Sequence, residues 1–191
     1  MLTILNTTGV EPVTLAEAKL AARVDSSDLD AFITAAIEVG RTQAEQITGR
    51  LYRQQTLREQ LVSWPSCGNV VIPVLAATAC AISYWNGSSW ATLMTTAYVF
   101  GPSADFGGAR TELAPAYGTT WPVLGNIAVG PRVRIDLTAG PATAAMVPEA
   151  VKLYIKACVS GWVNTGDYLV NKQMAPNPML DSLLDAERLW C

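Results

Sequence analysis

The chain has 191 residues and a formal charge of −3, with 13 Lys and Arg against 16 Asp and Glu and no histidine. Charged residues make up 15% of it, well under the ~25% usual for a globular domain. This excludes a globally basic nucleic-acid binder, and a surface so poor in charge is one that partners would cover. The plainer alternative is an Ala- and Thr-rich domain with a weakly polar surface.

From the N-terminus, Glu11–Arg50 reads as a helix pair. Thr14 with Glu17 forms a capping box for a helix over 14–22, since hydroxyl and carboxylate each satisfy an orphan backbone N–H. Ser27 with Asp30 repeats the pattern after a break at Arg23–Ser27, with Asp28 in the first turn, and predicts a helix over 28–48. Leu29, Phe32, Ile33, Ala36, Ile37, Gly40, Ala44 and Ile47 recur at three- and four-residue spacing as one apolar face. Arg41 and Glu45 stand four apart on another face, and Gly49 supplies a left-handed stop.

The period then changes to two. Thr56–Trp64 alternates without a clean apolar face, Val70–Val74 is a short β-branched run, and Ala79–Trp85 leads into Asn86-Gly87, a hairpin signal. Tyr98–Phe100 adds a short strand. Residues 101–130 read as a long Gly-, Pro-, Ala- and Thr-rich loop with a brief strand near Arg110–Leu113; such a loop is functional, disordered or held by a neighbour. Arg132–Thr138 alternates well, Val133, Ile135 and Leu137 against Arg132, Arg134 and Asp136.

Pro148 opens a helix over 148–163, with Val151, Tyr154, Ile155, Cys158, Val159 and Trp162 on one stripe. Gly166 ends it, Tyr168–Pro176 reads as a linker, and Asn177-Pro178 opens a short helix over 178–189. Helices, then strands, then helices make an α+β fold. In it the N-terminal helix pair and the C-terminal helices pack as a small helical body, with a central antiparallel β section at 54–140. The expected organisation is one domain over 1–165 and an arm over 166–191.

The inventory of chemical groups is thin. Without histidine the usual Ser-His-Asp and Cys-His schemes are absent, and Gly101-Pro-Ser-Ala-Asp105 lacks the second glycine of a nucleophile elbow. There is no P-loop and no GxGxxG. Cys67, Cys80, Cys158 and Cys191 show no CxxC spacing, so no zinc site is expected. They read as free thiols of a chain made in a reducing compartment, with Cys158 a small core residue. Asp25, Asp28 and Asp30 lack EF-hand spacing and suit helix caps. The opening Met-Leu-Thr-Ile-Leu-Asn lacks the pattern of a secretory signal. The longest apolar run, Val70–Ile82, is broken by Pro73 and is too short to span a bilayer. The reading is therefore a non-enzyme without metal or cofactor and without a membrane segment. Tryptophans 64, 85, 90, 121, 162 and 190 suit core or interface anchors. A β-rich ligand-binding module, the competing class, would gather Trp85, Trp90 and Trp121 on one exposed surface. The Arg50, Arg53 and Arg58 cluster and the Lys152, Lys156 pair suit a solvated face or interface ion pairs. Any DNA contact by them would be to phosphate and independent of sequence.

Several short motifs stand in a familiar order. Glu11-Pro-Val-Thr-Leu-Ala-Glu-Ala-Lys19, Arg23-Val-Asp25 and Asp28–Arg50 with its Thr-Gly-Arg ending come first. Trp121-Pro122, the strand Arg132–Thr138 with Ala139-Gly140, Val147-Pro-Glu-Ala-Val-Lys152 and finally Leu183-Leu184 with Arg188 follow. The set resembles the head–tail connector (adaptor, or head-completion) proteins of long-tailed bacteriophages and gene transfer agents over about two-thirds of the chain. The middle, Ser66–Tyr117, matches little, and Asp185-Ala-Glu-Arg188 departs from the Pro- and Tyr-containing ending of that family. The resemblance implies a structural virion protein at the head–tail junction, assembled in the bacterial cytoplasm. It would form a ring of about twelve copies beneath the portal, since head-to-tail contacts that close make rings. Its partners would be the portal, a neck or tail-completion protein, and DNA passing through the channel without sequence-specific recognition. Another neck or tail-completion protein is the related alternative. Ring-body residues would be Phe32, Ile33, Ile37, Tyr154, Ile155 and Trp162. Met179, Leu180, Leu183, Leu184, Arg188, Leu189 and Trp190 would meet the portal. Phe106, Arg110 and Trp121 would meet a neighbouring subunit or the tail.

Overall fold

The computed structural model describes residues 2–75, 77–103, 110–127, 129–165 and 178–189, with backbone alone at 165, 178 and 179. The chain divides into two compact units, one from residues 1–8 and 54–140, the other from 9–53 and 141–190. Where the sequence reading drew one domain over 1–165 with an arm from 166, strand pairing and helix packing each join the two flanks of the chain instead.

The first unit is all β. Its strands are β1 (Thr3–Thr7), β2 (Gln55–Leu61), β3 (Val70–Ile72), β4 (Ala79–Trp85), β5 (Trp90–Thr92), β6 (Tyr98–Pro102), β7 (Thr111–Pro115) and β8 (Val133–Ala139). They form an antiparallel five-stranded sheet in the order β1-β2-β8-β4-β5 and a three-stranded sheet in the order β3-β7-β6. β8 keeps the predicted alternation: Val133, Ile135, Leu137 and Ala139 are buried, while Arg134, Asp136 and Thr138 take the other face. Register places Leu57 opposite Leu137 and Ile82 opposite Ile135, so one inward face runs across three strands. The three-stranded sheet is tied in by the Tyr98 hydroxyl, which donates to the Cys80 carbonyl of β4 at 2.6 Å, while within that sheet the Thr111 hydroxyl of β7 donates to the Val74 carbonyl just past β3 at 2.6 Å.

The Asn86-Gly87 hairpin forms as the sequence predicts. Trp85 stands opposite Trp90, Gly87 adopts φ +109°, and the Asn86 side-chain oxygen accepts from the Ser88 and Ser89 amides at 2.9 Å. Against this turn lies Gly125, whose amide donates to the Trp85 carbonyl at 2.8 Å. A Cβ there would run into the Gly87 backbone, so only glycine permits the approach.

The expected loop over 101–130 needs correction. Its first part belongs to a β6–β7 hairpin whose register runs from Tyr98 opposite Pro115 to Pro102 opposite Thr111. The short strands expected at Tyr98–Phe100 and near Arg110–Leu113 are both present and run on to Pro102 and Pro115, with Tyr98, Thr111 and Leu113 pointing inward. The strand expected to reach Trp64 ends at Leu61.

The second unit holds α1 (Leu15–Ala22), α2 (Asp30–Thr48), α3 (Glu149–Thr165) and α4 (Pro178–Ser182), followed by a 3-10 turn at Asp185–Glu187. The Thr14–Glu17 capping box is present, the Glu17 carboxylate accepting the Thr14 amide at 2.8 Å. That backbone hydrogen bond holds the Glu17 carboxyl below its ordinary range. The second cap differs from expectation. α2 starts at Asp30 after Leu29, with no side-chain cap, and the Asp30 carboxylate accepts from Lys19 Nζ at 2.6 Å. A charge-assisted bond from α1 has claimed the carboxylate that the sequence pattern assigned to capping.

Ile33, Ala36, Ile37 and Ala44 of α2 pack with Val151, Tyr154, Ile155 and Val159 of α3 in one buried cluster. Gly40 faces α3 at this crossing, where an added Cβ would reach ordinary van der Waals contact, 3.4 Å from Ile155 Cγ2. The predicted α2 stripe is narrower than expected. Leu29 and Phe32 stay out of the core, Phe32 at 50% exposure, because the packed face is centred on Ile33, Ile37 and Ala44. The expected arm is also partly internal: Leu184 is fully buried, the Leu189 amide donates to the Thr48 carbonyl at 2.9 Å, and Arg50 pairs with Glu187 at 3.5 Å. The predicted stop at Gly166 and linker at Tyr168–Pro176 lie outside the described residues.

Two glycine substitutions should behave oppositely. Gly125→Ala should destabilise the protein by about 1–3 kcal/mol in denaturant unfolding, through a forced backbone shift. Gly161→Ala in α3, whose added methyl meets open space, should stabilise it by up to about 1 kcal/mol. The reverse order would contradict the packing described.

Candidate functional site

No group of three or more His, Cys, Asp or Glu that could hold a metal ion is found among the described residues, and none of their helices is long and apolar enough to cross a membrane. Asp25 and Asp28 are exposed in the turn before α2, apart from the Asp30–Lys19 pair. Burial pushes the Cys80 thiol up to about 12 and the Cys158 thiol up as well. Burial first, and then neighbouring Cys80, push the Tyr98 hydroxyl up to about 12. Groups so raised stay protonated at neutral pH and are poor nucleophiles. The exposed surfaces carry the remaining features.

The tryptophans of the β unit fall into two ring pairs. Trp121 stacks on Trp64 with ring centroids 4.4 Å apart and planes 9° apart. Their indole N–H groups donate to the Gly68 and Pro122 carbonyls at 2.5 and 2.9 Å, respectively. Trp85 meets Trp90 edge-on at 5.9 Å. Trp121 thus pairs with Trp64, and all four rings are half-buried.

A charged network that sequence reasoning missed organises residues 9–53. The Glu11 carboxylate accepts from Arg41 Nε at 3.0 Å and from Arg53 Nη1 at 2.6 Å. Arg41 also bonds Glu45 at 2.7 Å, and Glu45 accepts the Tyr52 amide at 2.9 Å. Only the Arg41–Glu45 link has local spacing; Glu11 reaches partners 30 and 42 positions away, which no periodicity signals.

Two surfaces remain. On the outward face of the five-stranded sheet, Arg58 forks onto Asp136 with two bonds of 2.7 Å, which raises the Arg58 pKa further. On the same face Arg134 lies over Trp90, 3.8 Å from the ring centroid. Near the β1 edge is a recess of about 470 Å³ bordered by Gln60, Val62, Val129, Pro131 and Arg132. The second surface is the free side of α2, where Phe32, Ala35, Val39, Thr42 and Gln46 follow one another at helical spacing without a charge. Val39 and Leu20 are likewise exposed.

The predicted residues separate by role. Ile33, Ile37, Tyr154 and Ile155 are core, Trp162 packs against that core, and Phe32 is outside it. Leu184 is buried in its own unit, while Leu180, Leu183, Arg188 and Leu189 are half-buried. Arg110 is half-buried beside β7, its carbonyl accepting the Ser103 amide at 2.8 Å. Phe106, Trp190 and the side chain of Met179 lie outside the described residues.

The same arrangement recurs in chains of gene transfer agent particles. It is shared from end to end. A chain in the neck of an empty particle, computed with C6 symmetry, aligns with a TM-score of 0.74 at 18% identity, covering 100% of this chain and 96% of that one. A chain in the native gene transfer agent virion gives 0.75, and one in the native neck computed with C12 symmetry gives 0.71, with the same identity and coverage. No family model and no curated protein matches. At this identity the likeness establishes a common fold.

Two measurements check this geometry. In a Cys191→Ser background, exposed Cys67 should react readily with a thiol reagent at neutral pH, whereas Cys80 and Cys158 should react only on unfolding. Glu11→Ala should lower unfolding free energy by about 1.5–3 kcal/mol, the range for hydrogen bonds to charged groups; no loss would mean that Arg41 and Arg53 are held by other contacts.

Proposed function

We propose that this chain is a structural protein of a virion neck: a head–tail connector that rings the vertex beneath the portal, extends the DNA channel and presents a docking surface to the next neck or tail protein. The observation that carries this reading is the fold likeness to neck chains, which spans the full length of this chain and nearly all of theirs. The ordered motifs from Glu11 to Arg188, the scarcity of charge and the uncharged outer side of α2 support it independently. A ring needs two unlike faces per subunit, because a head-to-tail contact closes only when each copy offers both. About twelve copies would close it, the order used to compute one of the related necks.

In this reading the cores around Ile33, Ile37, Tyr154 and Ile155 are scaffold. The half-buried Leu180, Leu183, Arg188 and Leu189, with Met179 and Trp190, face the portal, and the region of Phe106, Arg110 and Trp121 reaches a neighbouring subunit or the tail. Leu184 is withdrawn from the contact set, since its burial commits it to the chain's own core. DNA would meet the ring through phosphate alone. The site of action is the head–tail junction of a virion, with assembly in the bacterial cytoplasm and no enzymatic step. A different neck or tail-completion role shares the fold, and portal binding separates the two.

Native mass spectrometry of the full chain mixed with its cognate portal should show a complex of fixed stoichiometry; portal that binds none of it would contradict the connector role. Arg188→Ala should leave the fold intact and weaken that complex at least about tenfold, or 1.4 kcal/mol. Leu184→Ala should instead destabilise the subunit itself by about 2–5 kcal/mol. Undiminished portal binding by Arg188→Ala would remove Arg188 from the contact.

A further inference from the structure

Two features that the fold does not use differ in charge. The first is an exposed strip on the helical unit. Asp25 and Asp28 are exposed and make no ion pair among the described residues, Arg23 is the cation of that turn, and Phe32 and Val39 continue the strip along the uncharged side of α2. The second is the recess of the β unit, about 470 Å³, with Arg132 at its border. Val62 and Val129 stand exposed beside it at 63% and 88%. Asp136 is already satisfied by Arg58, so Arg132 and Arg134 leave that face positive. Their buried Nε atoms have no acceptor among the described residues.

The two features are complementary. An apolar cavity of about 150 Å³ holds benzene, so the recess has room for an aromatic side chain, and its valines would desolvate it. An exposed carboxylate beside a guanidinium without an acid partner gains a charge-assisted hydrogen bond and adds orientation. Because one chain carries both the exposed strip with its acids and the basic recess, the occupant is a second copy, and the contact is heterologous, as ring closure requires.

We propose that the N-terminal end of α2 seats in the recess of the next copy, Phe32 entering beside Val62 and Val129 while Asp28 accepts from Arg132 or Arg134. This contact rests on the ring reading above and assigns its two faces. To test it, a photo-cross-linking phenylalanine analogue replaces Phe32 in the full chain. Isotopically light and heavy copies are mixed and assembled with portal. Cross-links should join different copies and map to the peptides holding Val62 or Val129–Arg132. In parallel, Asp28→Arg and Arg132→Asp should each reduce ring incorporation at least about tenfold, and the double exchange should restore most of it. Cross-links that map elsewhere, or a double exchange no better than the single ones, overturn the contact and leave the ring standing. Salt-sensitive DNA binding through Arg132 and Arg134 that is indifferent to Asp28 would overturn it in favour of phosphate as the anion. Failure of the unmodified chain to enter any ring overturns both readings.

Discussion

The antiparallel pairing of β2 with β8 is the constraint on which the rest depends. It sets Gln55 opposite Ala139, and β1 adds Thr7 opposite Gln55 in the same row. The chain crosses between its two units next to residues 8, 53 and 140, so all three crossings leave from one end of three adjacent strands. Everything from 62 to 132 thereby becomes one excursion within the β unit. Helices more than a hundred residues apart in sequence can then build one core. The pairing is held by burial on one face, through Leu57, Ile135 and Leu137, and on the other by the Arg58–Asp136 fork.

The helical unit depends on apolar packing between α2 and α3. Where Gly40 faces Ile155 the two helices cross, and around that crossing Ile33, Ile37, Val151 and Val159 are shut away from water. The Glu11 network then ties the segment entering α1 to α2 and to the segment leaving it. With the interior closed by these contacts, the low charge of the chain falls largely on its surface. The apolar exposure at Phe32, Val39, Val62 and Val129 is surface that a repeating assembly would cover.

Local chemistry was legible wherever its partners were near in sequence. The capping box of Thr14 and Glu17, the stop at Gly49, the Asn86-Gly87 turn, the alternation of β8 and the stripe of α3 all depend on residues within one or two turns of each other. What stayed hidden required a distant partner. Lys19 diverted Asp30 from its expected cap, and Glu11 found Arg53. Gly125 met the Gly87 turn from 38 positions away. Both strands of the β6–β7 hairpin were expected as short pieces, but their pairing across the intervening residues was not, because it joins Tyr98 to a partner 17 positions away. The surfaces were the least legible part: that Phe32 faces outward while Ile33 faces in is a difference of one residue, decided by where α3 packs.

The most direct measurement is a localised cryo-electron microscopy reconstruction of the head–tail vertex of particles that contain this chain. The account predicts a closed ring of two-unit subunits directly beneath the portal, with the α2 end of each copy against the β unit of the next. Density for this chain elsewhere in the particle, or as isolated monomers without ring contacts, would contradict it.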